Sequence, residues 1–519
     1  MRLPILTLGA LALTVGLGAR EGTRRSAALD DATAVHVLNR LTFGPTAASV
    51  RDLQAQGLSA WLDRQLRPEG IDDAQLEQRL AGMRTLAMSP QALAETIYLP
   101  ALERRRARQQ AGETDVPVER GMADGRRPER EVVLELTAQK LLRATASERQ
   151  VEAVLVDFWF NHFNVFAGKG PVRQYVAAYE RTAIQPHVLG SFRAMLGAVA
   201  GSPAMLFYLD NWQSSVEREA GATRPMGKAR PAGLNENYAR ELLELHTLGV
   251  DGGYSQQDIG EVARAFTGWT IRAPRRGGDA FFDPRRHDAG ARTVLGQAIP
   301  AGGGRAAGER VLDLLARHPA TARHIATRLA TRLVSDTPPE ALVARVAQRF
   351  QQTNGDLRET VRALVLSPEF VAPAHRQSKV KTPFEFVTSA LRALDADVRH
   401  AGALGGQLRT FGMAPYFAQP PTGFSDRSDA WTNGGALLQR MTLAVALTQG
   451  RVRGVAVPAL PVVTPPGDAD ADRLAAARAL GRALAFGDLS VKTLETVSRG
   501  RSTAEMAALV LGAPEFQRR

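Results

Sequence analysis

A helix-like stretch near the middle of the chain, NENYARELLELHTLGVDGGY (residues 235–254), brings carboxylates and an imidazole close together. At about 100° per residue, a helix would place His246 in the middle of an apolar arc and Glu241 at the margin of that arc. The two residues are five apart, about 140° around the axis, so one metal ion could not easily bind both from this helix. His246 is therefore either a catalytic base or a core histidine with satisfied hydrogen bonds, and taken alone it is more typical of the second.

The same stretch also predicts its own local structure. Glu244 belongs to the solvent face, where it can pair with Arg240 four residues before it. Gly249 can take the left-handed position that ends a helix. Ser255 can cap the next helix, with Asp258 three residues on in a capping-box position. These features explain most of the segment without a function.

A second stretch, VEAVLVDFWFNHFNVF (residues 151–166), is apolar and aromatic almost all round, which predicts a buried helix. Asp157, Asn161 and Asn164 recur at i, i+4 and i+7 and form a narrow polar stripe along it. A buried stripe must be satisfied by other side chains, water or a ligand. His162 lies away from the stripe, among phenylalanines. The pattern predicts either an internal polar pocket or a structural hydrogen-bond network.

A third stretch, FFDPRRHDAGARTVLG, crowds Asp283, His287 and Asp288 into a turn rich in proline and glycine. A carboxylate beside an imidazole suits hydrolytic proton transfer or a divalent metal ion. The alternative is an Asp-Pro turn that carries surface charges. Further on, YFAQPPTGFSDRSDAWTNGG (residues 416–435) is a long irregular segment of the kind that either covers a ligand or bridges two helices.

Several common active-site signatures are missing from the sequence. There is no G-x-S-x-G nucleophile elbow, no H-E-x-x-H zinc motif, no Walker loop and no dinucleotide-binding glycine fingerprint. The chain also lacks the C-x-x-C-H motif of covalently bound haem and the ligand spacing of an EF-hand loop. The classes of enzyme and binding protein that depend on these motifs are therefore disfavoured.

The spacing of apolar residues predicts a mainly α-helical protein. Segments such as SVRDLQAQGLSAWLDRQL, EVVLELTAQKLLRATA and ATARHIATRLATRLV repeat apolar residues at three and four positions, the helical period. Alternating strand patterns are scarce. We therefore expect a multi-helical globular protein with long irregular loops and at most a short β-hairpin, near ARTVLGQAIP.

The first residues predict export. MRLPILTLGALALTVGLGAR has one arginine, an uncharged apolar run and then small residues, which is typical of a signal peptide over residues 1–19. An uncleaved membrane anchor is the alternative, but no later segment has the length of a membrane span. We expect a mature protein in the periplasm or outside the cell. It would comprise a main helical domain (20–455), a proline-rich linker (456–470) and a small C-terminal helical segment (471–519).

Charge and cysteine content narrow the choice of partners. The net charge is +12, yet only six of the 65 basic residues are lysine and arginine is spread along the whole chain. No nucleic-acid-binding module is recognisable, so we expect no nucleic-acid partner. The chain has no cysteine, so an exported form must be stabilised by packing alone.

The same stretches resemble a large bacterial family, Domain of Unknown Function 1800. The matching segments extend over nearly all of the mature chain: HVLNRLTFGPT, FWFNHFNVF, SPAMLFYLDN, NENYARELLELHTLGVDGGYSQQDIGEVARAFTGW, FDPRRHDAGARTVLG, HPATARHIATRL, KVKTPFEFV and PPTGFSD. The resemblance implies an exported bacterial protein with no settled biochemical activity. It also implies a partner, because such proteins are often encoded beside another exported family, number 1501, which looks like sulfatases and phosphatases. It supplies no catalytic residue.

Two functional hypotheses follow. The first is a hydrolase-like enzyme acting on cell-envelope or extracellular polymer, with a divalent metal left open. Its binding residues would be Asp157, Asn161, His162 and Asn164, and its catalytic residues Glu241, His246, His287 and Asp288. The second is a non-catalytic binding or assembly partner of the sulfatase-like protein. Ionisable residues gathered around one pocket would favour the enzyme, and scattered, internally paired residues would favour the binding protein.

Overall fold

Helices form most of the structure, a computed structural model that describes residues 29–111, 128–216, 233–458, 460 and 470–519. The mainly α-helical fold predicted from the sequence is confirmed. The predicted signal peptide lies outside the described residues, as does most of the predicted linker.

The helices follow one another with short connections. The first α-helices span Asp31–Leu41, Ala47–Gln56, Leu58–Gln65, Ala74–Ala81, Arg84–Ala87, Pro90–Leu93, Leu99–Gln110, Pro128–Ala146, Gln150–His162, Val172–Tyr179, Phe192–Ala200, Pro203–Tyr208, Glu236–Glu241 and Gln256–Ala265. Later α-helices span Arg305–Arg317, Pro319–Leu333, Glu340–Gln352, Leu357–Val365, Pro368–Val371, Pro383–Ala393, Gly402–Thr410, Gly434–Thr448, Asp470–Leu480, Val491–Ser498, Thr503–Gly512 and Pro514–Gln517. Wider π-helical turns occur at Ala94–Tyr98, Glu180–Ile184, Leu242–Thr247 and Gly481–Ala485. Single 3-10 turns occur at Pro68–Gly70, Gln185–His187, Asn211–Gln213, Pro274–Arg276, Pro284–Arg286, Pro373–His375 and Ser428–Trp431.

Local sequence signals set the helix ends around residues 235–265 as predicted. The Ser255 hydroxyl accepts a hydrogen bond from the Asp258 backbone N–H at 3.2 Å, and the Asp258 carboxylate accepts one from the Ser255 N–H at 2.8 Å. This capping box satisfies two backbone donors that the helix would otherwise leave unpaired. Gly249 has φ +84°, in the left-handed region. Arg240 pairs with Glu244 at 3.6 Å on the half-exposed face.

The strands form three short antiparallel pairs. The predicted hairpin is present, with Arg292–Val294 paired to Gln297–Ile299. Two further pairs join Trp269–Ile271 to Ala280–Phe282, and residues 397–398 to 455–456. The expectation of at most one hairpin missed these because strands of two or three residues are too short to show alternation.

The segment at residues 470–519 packs onto the rest of the protein through a shared core. Its helix Thr503–Gly512 lies against the helix Gly434–Thr448, which precedes the predicted linker. Arg519 is 3% exposed and exchanges two backbone hydrogen bonds with Lys379, at 2.8 and 3.3 Å. No helix within the described ranges is both long and apolar enough to cross a bilayer.

Candidate functional site

The polar stripe predicted on the buried helix faces a hollow. The helix Gln150–His162 is buried along most of its length, and Asn164 lies two residues beyond its last turn. Asp157, Asn161 and Asn164 all line a narrow hollow with only about 20 Å³ of space accessible to water, part of which is open to solvent. The stripe and the hollow are therefore parts of one feature.

A buried arginine neutralises two carboxylates that line this hollow, Asp157 and Asp426, together with Glu385. The guanidinium of Arg332 lies 3.0 Å from Asp157, 3.0 Å from Glu385 and 3.3 Å from Asp426. Each of these four side chains is at most 10% exposed. Burial alone would raise the pKa of Glu385, but the guanidinium groups of Arg332 and Arg519 outweigh burial and lower that pKa to about 2. The cluster is held as ion pairs.

Lys140 neutralises the other side of Asp157. Its Nζ lies 2.7 Å from the Asp157 carboxylate and stands 5.1–5.6 Å from the ring centres of Phe160, Phe384 and Tyr416. The ammonium is therefore stabilised by a carboxylate and by cation–π contacts. Tyr416 has φ +66°, in the left-handed region, at a cost of about 1–2 kcal/mol for a non-glycine residue. Its backbone is held there because Ala167 N–H donates to its carbonyl at 3.0 Å.

The two asparagines of the stripe hold an irregular loop in place. We call residues 411–433 the anchored segment; they connect the helices Gly402–Thr410 and Gly434–Thr448 and contain one short 3-10 turn. The Asn161 amide donates to the Phe424 carbonyl at 2.8 Å and accepts from the Phe424 N–H at 2.7 Å. The Asn164 amide donates to the carbonyls of residues 418 and 420 at 3.0 and 2.9 Å.

Further contacts fix the segment around Asp426. The Asp426 carbonyl accepts from the Lys379 ammonium at 2.8 Å, and the Asp426 carboxylate accepts from Arg328 and Arg332. Gly423 has φ +70°, and a Cβ on this residue would lie 2.4 Å from Asn161. Glycine is therefore required for the loop to approach the buried helix so closely.

His162 and His246 lie in a separate buried cluster with His324. The His162 ring centre is 6.4 Å from that of His246 and 5.9 Å from that of His324. His162 Nε2 contacts the His246 carbonyl at 3.2 Å, and His324 Nε2 contacts the Leu245 carbonyl at 3.1 Å. Burial lowers the pKa of His246 to about 3 and that of His324 to about 4, and lowers the pKa of His162 as well. At neutral pH all three imidazoles are uncharged.

Glu241 ends the helix Glu236–Glu241 and is half-buried. Among the residues that the structure describes, none donates a hydrogen bond to its carboxylate, and burial followed by the nearby Glu244 raises its pKa. Glu241 does not line the hollow of the polar stripe. It is a desolvated carboxyl that stands apart from the charged cluster.

His287 and Asp288 are held in a turn of their own. His287 Nδ1 contacts the Thr267 carbonyl at 2.9 Å, and the Asp288 carboxylate accepts from Arg264 at 2.7 Å. Asp283 accepts from the Arg285 N–H at 3.0 Å, so it forms the Asp-Pro turn that was the alternative prediction. The hydrogen bond from Arg264 lowers the pKa of Asp288, and burial lowers the pKa of His287.

The predicted site residues therefore divide into groups. Three of the four predicted binding residues, Asp157, Asn161 and Asn164, meet at one hollow, whereas His162 joins the histidine cluster. None of the predicted catalytic residues lines that hollow. No group of three or more histidines and carboxylates within the described ranges is arranged to bind a metal ion.

Sequence reasoning missed the residues that neutralise the stripe. Arg332 and Lys140 lie on helices whose apolar repeat was recognised, but nothing marks them among their neighbours as buried. A clearer signal was present in KVKTPFEFV, where Lys379, Lys381 and Glu385 stand in an otherwise apolar run. Charges that are buried in such a run require partners.

The fold and this site define a helical protein with a buried ion cluster that anchors a long surface loop. Comparison with protein families matches residues 36–518 to the model described as a protein of unknown function, DUF1800. The chain belongs to this family, as its motifs indicated. Comparisons with curated proteins and with solved structures find no match.

Replacing Asn161 tests the anchoring directly. We expect Asn161→Ala to release the Phe424 backbone and to cost about 1–3 kcal/mol, because two buried backbone groups lose their partners. Trypsin would then cleave the chain after the exposed Arg427 several-fold faster under native conditions. Circular dichroism should show an unchanged helix content. The control is Asn237→Ala, an exposed asparagine on another helix. Equal cleavage rates for the two variants would contradict the anchoring role.

Proposed function

We propose that this chain is an exported binding or assembly protein that presents the anchored segment to a protein partner. What supports the proposal is that the buried charges and asparagines at the hollow are paired with each other and with the loop backbone. Groups paired in this way hold a surface loop in one conformation, which is how a rigid scaffold positions a recognition loop.

The alternative, a hydrolase, needs its acids and bases to reach a common hollow. Glu241, His246, His287 and Asp288 would have to move from three separate places to do so, and His246, His287 and Asp288 are each held by burial or by a hydrogen bond. The binding proposal needs no such movement. The scattered arrangement of these residues supports the binding protein over the enzyme.

An apolar surface adjoins the anchored segment. Leu437 and Leu438, near the start of the next helix, are 50% and 70% exposed, and Trp431 at the end of the segment is half-buried. Large apolar side chains exposed at neighbouring positions favour contact with a partner protein. The partner that the family resemblance implies is the co-exported sulfatase-like protein, and we propose it as the occupant of this surface.

The double variant Leu437→Asp/Leu438→Asp tests this proposal. We expect the unaltered protein to co-purify stoichiometrically with a co-exported sulfatase-like protein of the family numbered 1501. The double variant should bind at least tenfold more weakly, because two apolar contacts are replaced by charges that must be desolvated. The matched control is Val491→Asp, an exposed apolar residue (75%) on another helix, Val491–Ser498. The proposal fails if no complex forms, or if both variants bind equally well.

A further inference from the structure

A wide hollow is lined both by the first helices and by part of the segment at residues 470–519. It has about 1540 Å³ of space accessible to water, and part of it is open to solvent. Its lining comes mainly from the helices Asp31–Leu41, Ala47–Gln56 and Pro128–Ala146 and from residues 395–398 and 482–488. A further hollow of about 600 Å³ adjoins it, because both are lined by Arg79, Leu142 and Val398. Neither hollow is lined by the anchored segment or by the apolar surface beside it.

One phenylalanine in the wall of the wide hollow is strained and has no packing role. Phe486 has φ +57° and ψ +27°, in the left-handed region, which is costly for a bulky L-residue. The next residue, Gly487, is of the type that adopts this conformation freely, yet the chain places Phe486 there. The Phe486 ring is half-buried, but it neither packs against the hydrophobic core nor contacts another aromatic ring of the described residues. Such strain is characteristic of residues positioned for binding.

The charges in the wall are of both signs, and several are paired with each other. Three pairs lie along it, at 2.5 Å for Arg64–Asp52 and at 3.1 Å for both Arg79–Asp397 and Arg482–Asp488. Five arginines face six carboxylates in the lining, a difference of one charge: Arg51, Arg64, Arg79, Arg392 and Arg482 against Asp31, Asp52, Glu148, Asp395, Asp397 and Asp488. A strongly charged polymer would therefore gain little electrostatic attraction from this wall.

Size and lining together favour one class of polymer. The wide hollow exceeds the roughly 300–1,000 Å³ of small-molecule pockets, so it can hold several units of a polymer. An extended peptide commonly adds to a sheet edge, but the strand in this lining, residues 397–398, is too short to extend. A helical peptide needs an apolar groove, which eleven charged side chains do not provide.

A neutral glycan has neither requirement. Each hydroxyl group can accept a hydrogen bond from an arginine and donate one to a carboxylate. Each sugar ring also has a C–H face, which can pack on an aromatic ring such as that of Phe486.

We propose that the wide hollow binds a neutral oligosaccharide, with one sugar ring packed on Phe486 and its hydroxyls bonded to the arginines and carboxylates of the wall. The adjoining hollow allows the glycan to continue past the Arg79–Asp397 pair. Both hollows are partly open to solvent, so a segment of a longer polymer can bind as well as a free oligosaccharide. This inference goes beyond partner docking through the anchored segment and stands independently of it.

The test is isothermal titration of the purified full chain with four neutral hexasaccharides: cellohexaose, maltohexaose, laminarihexaose and mannohexaose. We expect saturable binding of at least one of them. Binding should weaken at least tenfold when that glycan is shortened to its disaccharide, because fewer sugar rings contact the wall. Hexagalacturonate and the hexamer of chitosan serve as charged comparators, and a peptide of alternating lysine and glutamate serves as the peptide comparator.

Variants at residue 486 test the role of the aromatic ring. Phe486→Gly should bind the hexasaccharide at least tenfold more weakly, while its thermal stability stays close to that of the parent protein because glycine removes the left-handed strain. Phe486→Trp should retain binding. The matched control is Gln377→Gly, which relieves the same strain (φ +51°) at an exposed residue that lines neither hollow, and its binding should be unchanged.

Hexasaccharide binding that survives unchanged in Phe486→Gly would overturn the proposal. A disaccharide that binds as tightly as the hexasaccharide would overturn it as well, as would a preference for either charged comparator or for the peptide. Absence of saturable binding by all four neutral hexasaccharides would have the same consequence.

Discussion

Arg332→Met is expected to destabilise the protein by about 3–5 kcal/mol, enough to unfold it or nearly so at room temperature. The guanidinium of Arg332 contacts Asp157, Glu385 and Asp426 in a region almost closed to water. Methionine fills a similar volume but leaves three carboxylates close together with much of their neutralising charge gone. Breaking a buried ion cluster by removing one partner is costly because the remaining charges are not solvated. Urea denaturation followed by circular dichroism measures the loss.

The same helix supplies the control for this variant. Arg323 lies on the helix Pro319–Leu333 with Arg332, but its pair with Glu340 is more than half exposed on both sides. We expect Arg323→Met to change the free energy of unfolding by less than about 1 kcal/mol, as for other surface ion pairs. If Arg332→Met and Arg323→Met lowered the free energy of unfolding by similar amounts, the buried cluster would have no special role in stability.

Acid is expected to destabilise the protein well before its carboxylates titrate. Burial holds the pKa of His246 at about 3 and that of His324 at about 4, below the usual 6.5. The unfolded chain therefore binds protons that the folded chain does not. The stabilisation is complete above about pH 6.5 and is lost as the pH falls towards the folded-state values, by about 1.4 kcal/mol per pH unit for each imidazole. Thermal unfolding between about pH 8 and pH 5 measures this trend.

The variant His246→Phe isolates the contribution of the histidine cluster. Phenylalanine keeps a planar ring beside Phe163 and His162 but cannot bind a proton. We expect the dependence of stability on pH to become shallower by about 1.4 kcal/mol per unit between about pH 6.5 and pH 5. Carboxyls whose pKa is raised by burial, such as Glu180, act in the opposite direction and are unchanged by this variant. The control is His400→Phe, which replaces an exposed histidine. If stability depended on pH equally steeply in both variants, this explanation would be contradicted.

The helical architecture was predictable because apolar periodicity and capping are local. The Ser255–Asp258 capping box, the turn at Gly249 and the Arg240–Glu244 pair all depend on residues within a few positions of one another. Local interactions of this kind are encoded in short windows of sequence. The two extra strand pairs escaped prediction because each strand is too short to carry a periodic signal.

The site was only partly predictable because its contacts join distant parts of the chain. The stripe of Asp157, Asn161 and Asn164 was visible as a pattern on one helix, and the structure places it at a hollow. Its partners are 175 residues away at Arg332 and 263 residues away at Phe424. Sequence spacing does not report such pairings. The same limit applies to Glu241 and His246, whose helix was recognised but whose surroundings were not.

Hydrogen–deuterium exchange of the unaltered protein tests most directly whether the buried ion cluster and asparagines hold the anchored segment in one conformation. The Phe424 N–H, which donates to Asn161, should exchange at least a hundredfold more slowly than an unstructured amide, corresponding to about 2.7 kcal/mol of local stability. The protected amides of residues 411–433 should lose that protection in Asn161→Ala. Exchange at unstructured rates across residues 411–433 of the unaltered protein would contradict the account.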